Sequence, residues 1–192
     1  MGQFQSFRFF DTVKEELRSD FKFKKVIRQQ AQIFLEQCTP RKRADDKIVR
    51  VGIHIRRTDH LKRKYRRQGF VFPNDSYFTH AMDYFIRTNV DTHVVFVIAS
   101  DDIPWCKSYF ADSSLDIFYS TKNTAVVDMA ILSFCDHVII TIGTFGWWTG
   151  WLKSGTTVYM KDFPANGTWT PRVYRPEYYI PPDDGENRWI GM

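Results

Sequence analysis

Cysteine is scarce in this chain of 192 residues. There are three, Cys38, Cys106 and Cys135, far apart and without a CxxC or a Cys/His ligand spacing. That argues against a zinc site, and the odd count excludes a complete disulfide framework. Cys106 and Cys135 sit in apolar contexts and read as buried free thiols. Long apolar runs are missing too. The longest uncharged stretch, Val138 to Leu152, is fifteen residues with three glycines, too short to span a bilayer. The N-terminal string Met1-Gly-Gln-Phe-Gln-Ser-Phe-Arg8 has no apolar h-region, so no signal peptide or membrane segment is expected here. Neither GxxxxGK[ST] nor GxGxxG occurs, which removes the P-loop and the dinucleotide fingerprint.

What is present is globular. Apolar residues make up 43% and charged residues 26%, a balance that excludes wholesale disorder. Aromatics reach 17%, with seventeen Phe and six Trp. The net charge is +5, and its distribution says more than its sum. Between His54 and Arg67 lie Arg56, Arg57, Lys62, Arg63, Lys64, Arg66 and Arg67 against the single acid Asp59. This block carries +6, and the other 178 residues carry −1. A nucleic-acid coat would spread its charge over a face, so no nucleic-acid partner is expected. One concentrated block fits a small anion or a solvated, mobile basic loop.

Hydrophobic periodicity orders the chain. Val13, Leu17, Phe21, Ile27, Ala31, Phe34 and Leu35 fall on helical steps over 12–38, as one helix or as two with a break near Lys24. Residues 48–55, 94–99, 115–119, 137–141 and 156–160 read as strands. Helices are predicted after the Asn74-Asp75-Ser76 caps, over 103–110, from Asn123 or Thr124 to Phe134, and over 145–152. This alternation predicts an α/β fold with a doubly wound, Rossmann-like parallel sheet, in which ligands bind beyond the carboxyl ends of strands. The expected division is an N-terminal helical segment (1–46), a Rossmann-like domain (47–163) and an irregular tail (164–192), which holds five of the eight prolines.

Two motifs fall at strand carboxyl ends. In His54-Ile-Arg-Arg-Thr-Asp59, paired arginines can offer bidentate donors to a diphosphate, and Asp59 can orient one of them. A solvated loop with an internal ion pair is the alternative. His54 reads as a hydrogen-bonded core histidine or as a base. In Thr141-Ile-Gly-Thr-Phe-Gly146, the amides of Thr144, Phe145 and Gly146 open a helix, a ready anion site, or else make an ordinary turn. Asp128, one turn into a helix, is a dipole partner or an acceptor for a guanine edge or ribose hydroxyl. Trp147, Trp148 and Trp151 read as packing. Sequons at Asn74 and Asn166 are candidate glycosylation sites.

The string Val51-Gly-Ile-His-Ile-Arg-Arg-Thr-Asp59 resembles the HxRRxD motif of several fucosyltransferases. Asp75-Ser-Tyr-Phe-Thr-His-Ala-Met-Asp-Tyr-Phe85, Ala99-Ser-Asp-Asp-Ile-Pro-Trp-Cys106 and Thr141-Ile-Gly-Thr-Phe-Gly-Trp-Trp148 narrow it to the galactoside α1,2-L-fucosyltransferases. Glu16-Leu-Arg-Ser-Asp-Phe21 and Gln30-Ala-Gln-Ile-Phe-Leu35 are similar to that pattern too, so the resemblance runs from about Phe9 to Phe163. It implies inverting transfer of L-fucose from GDP-fucose to the 2-hydroxyl of a galactose-terminated glycan, with no metal and no cofactor. It also implies a fold of two facing Rossmann-like halves, of the GT-B type, of which this chain covers the C-terminal, donor-binding one. By this resemblance Arg56 and Arg57 are the catalytic phosphate contacts. His54, Asp59, Asp128, Thr144, Phe145 and Gly146 complete the GDP-fucose site. The implied location is the Golgi lumen, with membrane attachment only through an N-terminal anchor that this chain lacks. The alternatives are a catalytically inactive GDP-binding relative and a fucosyltransferase of α1,6 or protein O-linkage.

Overall fold

The computed structural model describes residues 6–40, 47–67, 69–163 and 174–192. Six strands form one sheet: β1 (Ile48–Ile55), β2 (His93–Ser100), β3 (Ile117–Tyr119), β4 (His137–Ile140), β5 (Gly155–Tyr159) and β6 (Asn187–Gly191). Their spatial order is β3-β2-β1-β4-β5-β6, and every pairing is parallel. This is the strand order of the dinucleotide-binding sheets. β1 is central, with His54 in register with Ala99 of β2 and Ile140 of β4.

Both faces of the sheet are covered, which is why its strands are apolar without alternation. On one face lie α4 (Asp75–Thr88) and α5 (Ile103–Tyr109). There Tyr77, Phe78, Met82, Phe85 and Cys106 pack on Val49, Val51, Ile53 and Ile55. On the other, Ala31 and Leu35 of α2 (Lys25–Gln37) and its C-cap Cys38 pack against Val127, Ala130 and Ile131 of α6 (Ala125–Ser133). A third cluster joins Phe10, Phe163, Tyr174 and Tyr179 to Trp147 and Trp151 of α7 (Thr144–Leu152). All three cysteines are buried free thiols.

The break expected near Lys24 separates α1 (Lys14–Asp20) from α2. Asn74 caps α4, its Oδ1 accepting from the Tyr77 amide at 3.0 Å. The basic run, read as a mobile loop, contains the short helix α3 (Arg63–Arg67). The expectation of an irregular tail is corrected. The described part of the tail holds α8 (Pro176–Tyr179) and ends in β6, which pairs with β5. Trp189 of β6 lies against Trp147, Tyr159 and Tyr179, and the strand covers an edge that β5 would otherwise expose. With only two large apolar residues in Asn187-Arg-Trp-Ile-Gly191, this edge strand lacks the pattern that marks a buried one. Among the described residues, no helix is long and apolar enough to cross a membrane.

Tyr77 ties the α4 layer to the carboxyl ends of two strands. Its hydroxyl donates to the Ile140 carbonyl at 2.7 Å, with that of Val158 at 3.3 Å. Tyr77→Phe removes a buried donor and should cost about 1–2 kcal/mol. Urea unfolding should show a lower midpoint with an unchanged slope.

Candidate functional site

The strand order reverses between β1 and β4, and the crevice beyond that switch point is the expected ligand site of an open α/β sheet. A cavity of about 370 Å³ lies there. Its walls are His54, Arg56, Asp59 and His60 from the β1 exit, Ala99, Ser100 and Asp101 from the end of β2, and Ala125 and Asp128 from α6. Gly143, Thr144 and Phe145 close the β4–α7 side, and Tyr65 and Phe70 the far end.

The exit of β1 is tied down from both neighbouring strands. The Arg56 amide donates to Thr141 Oγ1 at 2.8 Å. The amides of Arg57 and Thr58 donate to the Asp101 carboxylate at 2.9 and 3.2 Å, and the Thr58 hydroxyl donates to it at 2.5 Å. These bonds hold consecutive side chains apart. Arg56 turns into the cavity, where Asp59 accepts from its Nε at 2.9 Å and its Nη2 at 2.6 Å. Asp101 lies 3.3 Å from its Nη1. The fork with Arg56 holds the Asp59 carboxyl below the usual carboxylate range. Asp59 thus grips one edge of the guanidinium and leaves the Nη1 edge toward Asp101 and the cavity.

Arg57 goes the other way. Its Nη1 donates to Asp102 at 2.6 Å, and its guanidinium lies 4.7 Å from the Trp105 ring centroid. It does not line the cavity. Alternation along an extended chain accounts for the split, because successive side chains leave on opposite sides.

His54 is 6% exposed and stacks on Phe145, with ring centroids 4.8 Å apart. Burial lowers its pKa from 6.5 to about 3; the Asp101 charge opposes the shift, and Arg56 and His60 add to it. The ring is therefore neutral. Its Nδ1 is buried without a hydrogen-bond partner. A Cβ on Gly146 would come within 2.8 Å of that nitrogen. Gly146 accordingly lies beneath the turn, outside the cavity lining, where only a glycine lets α7 close on His54. Gly143, with φ of 124°, makes the turn itself. The Trp147 amide makes an intrahelical bond back to Gly143 at 3.1 Å, so those of Thr144, Phe145 and Gly146 precede the helical ladder.

Across the cavity, Asp128 Oδ1 accepts from the Ser120 hydroxyl at 2.5 Å. Burial raises its pKa, with that hydrogen bond opposing. Six of the expected site residues thus surround one cavity: His54, Arg56, Asp59, Asp128, Thr144 and Phe145. Arg57 and Gly146 support it from outside. Asn74 is exposed at the α4 cap, and Asn166 lies outside the described residues. Sequence reasoning missed Asp101, His60, Tyr65 and Phe70. Asp101 carried a usable signal, an acid directly after an apolar strand. His60 and Tyr65 are interspersed in a run whose charge masks them, and Phe70 follows it.

The sequence matches the model of glycosyl transferase family 11 over residues 2–179. Galactoside alpha-(1,2)-fucosyltransferase 1 from Homo sapiens and from Sus scrofa are each 32% identical to it over 190 residues, covering 97% of this chain and 50% of theirs. The chain spans about half the length of the curated relatives it matches. Among solved structures, POFUT1 in complex with GDP is similar at a TM-score of 0.52 and 11% identity, covering 92% of this chain and 51% of that one. The glycosyl transferase family 9 protein from Veillonella parvula is similar at 0.53 and 15%, covering 89% and 41%. These two likenesses establish the fold.

Two tests address the built site. Gly146→Ala should cost about 1–3 kcal/mol by overpacking against His54, read as a lower melting temperature. His54 binds its proton more readily in the unfolded chain, so folding stability falls as pH drops from 6.5 toward 3. His54→Gln should flatten this slope between pH 6 and 4.5 by up to about 1.4 kcal/mol per pH unit, measured by urea unfolding at stepped pH.

Proposed function

The chain belongs to glycosyl transferase family 11, and from that premise we propose that the cavity at the switch point is the donor site for GDP-fucose. The proposed reaction moves L-fucose to the 2-hydroxyl of a terminal galactose, with inversion and without a metal ion. The observation that carries the reading is the convergence of Arg56 and the α7 N-terminus on one cavity beside β1. The 32% identity to galactoside alpha-(1,2)-fucosyltransferases supports the choice of sugar and linkage. The proposed location of the whole protein is the Golgi lumen, with Asn74 and Asn166 as glycosylation sites.

In an inverting transfer, the bond from the anomeric carbon to the β-phosphate oxygen breaks as the acceptor oxygen attacks from the opposite face and gives up its hydroxyl proton to a base or water on the acceptor side. Negative charge then builds on the departing diphosphate. Arg56, aimed by Asp59, and the free amides of Thr144 and Phe145 meet that charge with donors already in place. Asp128 receives the nucleoside through a guanine N–H edge or a ribose hydroxyl, and neutral His54 with Phe145 forms the wall beside it. Arg57 serves as a positioning residue, since it braces the β1 exit on Asp102 and Trp105. The exposed cations of α3 raise the local concentration of a dianionic donor.

A second reading of the same cavity is a module that binds GDP and transfers nothing. Calorimetric titration should show GDP binding that Arg56→Ala weakens at least about tenfold, the lower range for a charge-assisted contact. Arg57→Ala should instead lower the urea midpoint and weaken GDP less. A flat wild-type titration would sink both readings. GDP binding without transfer of labelled fucose to lactose would leave the second.

A further inference from the structure

The cavity is chemically divided along the sheet. Its polar end lies over β2 and β3, where Asp128 holds Ser120 just after β3. Its other end lies toward β5 and is aromatic. There His60 and Phe70 approach with centroids 5.1 Å apart, and Tyr65 meets Phe70 edge-on at 5.6 Å. Phe70 is backed by Phe163, which follows β5, at 5.2 Å. His60 joins this end to the β4–α7 turn, because its Cε1 is 3.7 Å from where a Gly143 Cβ would stand.

We propose that His60, Tyr65 and Phe70 form the sugar subsite of the donor and select a 6-deoxyhexose by its methyl edge. The inference rests on the reading of the cavity as a nucleotide-sugar site and adds which residues choose the sugar. If Arg56 and Thr144 hold the diphosphate and Asp128 the nucleoside, the sugar has only the aromatic end to occupy. Ring faces welcome a methyl and C–H edges but leave a hydroxymethyl oxygen without a partner. Polar atoms are few along this wall, namely the Tyr65 hydroxyl and the His60 ring nitrogens. His60 is 5% exposed, and its Nδ1 is buried with no hydrogen-bond partner. Burial lowers the pKa of His60, so it meets the sugar as a neutral imidazole.

The decisive comparison is GDP-L-fucose against GDP-L-galactose, which differ by one hydroxyl at C6. Calorimetry on the 192-residue chain should show the deoxy sugar bound about tenfold more tightly. Phe70→Leu and Tyr65→Ala should each bring that ratio to about twofold or less while GDP alone keeps its affinity within about threefold. Should Phe70→Leu unfold for want of its Phe163 contact, the half-buried Tyr65 carries the test. A ratio near one in wild type, or a ratio unmoved in a variant that still binds GDP, overturns the subsite alone. Failure of wild type to bind GDP overturns the nucleotide reading and the subsite with it.

Discussion

Parallel pairing of β1 with β2 on one side and β4 on the other is the constraint on which the rest of the molecule depends. β1 is buried on both faces, so its residues are chosen by packing. Val51, Ile53 and Ile55 fill the α4 layer, and His54 meets α7. Because all three strands run the same way, their carboxyl ends arrive at one rim. Three chain segments must leave that rim together, and each leaves backbone donors that need acceptors. Thr141 and Asp101 supply those acceptors to the segment leaving β1. The rim is therefore rigid where a ligand would meet it.

Rigidity at the rim separates two adjacent arginines into different tasks. Arg56 faces the cavity with one edge held by Asp59, while Arg57 is bound to Asp102 and Trp105. Carboxylates near the cavity are accordingly paired or buried. Asp59 is held ionised by its fork with Arg56, and burial raises the pKa of Asp128 against the opposing Ser120 hydrogen bond. The glycines follow the same logic: Gly143 permits the turn and Gly146 permits α7 to seat on His54.

Much of this was legible in advance because the strong signals are local. Continuous β-branched runs identified β1, β2 and β4, and helical spacing after the Asn74-Asp75-Ser76 caps identified α4. The weak points were also physical. β6 is an edge strand with two large apolar residues, and its place depends on the exposed edge of β5 and on contacts with Trp147 and Tyr179. α3 lies inside a run whose charge reads as solvated loop. At the site, six of eight expected residues share one cavity. Gly146 and Arg57 do not, because neither a close approach nor the direction of a side chain leaving a strand is written in residue order.

By itself the amino-acid sequence determined the layered α/β architecture, the strand exits as the places for chemistry, and the family through HxRRxD and its companion segments. These follow from periodicity, turn residues and short motifs, all carried by neighbours in the chain. Only the tertiary structure decided which arginine faces the ligand, that Asp101 governs the exit of β1, and that His60, Tyr65 and Phe70 wall one end of the cavity. Those facts depend on contacts that residue order does not show, some between distant segments, as with Arg57 and Asp101 or Phe70 and Phe163. The side chains meet there because parallel strands bring distant exits to one rim.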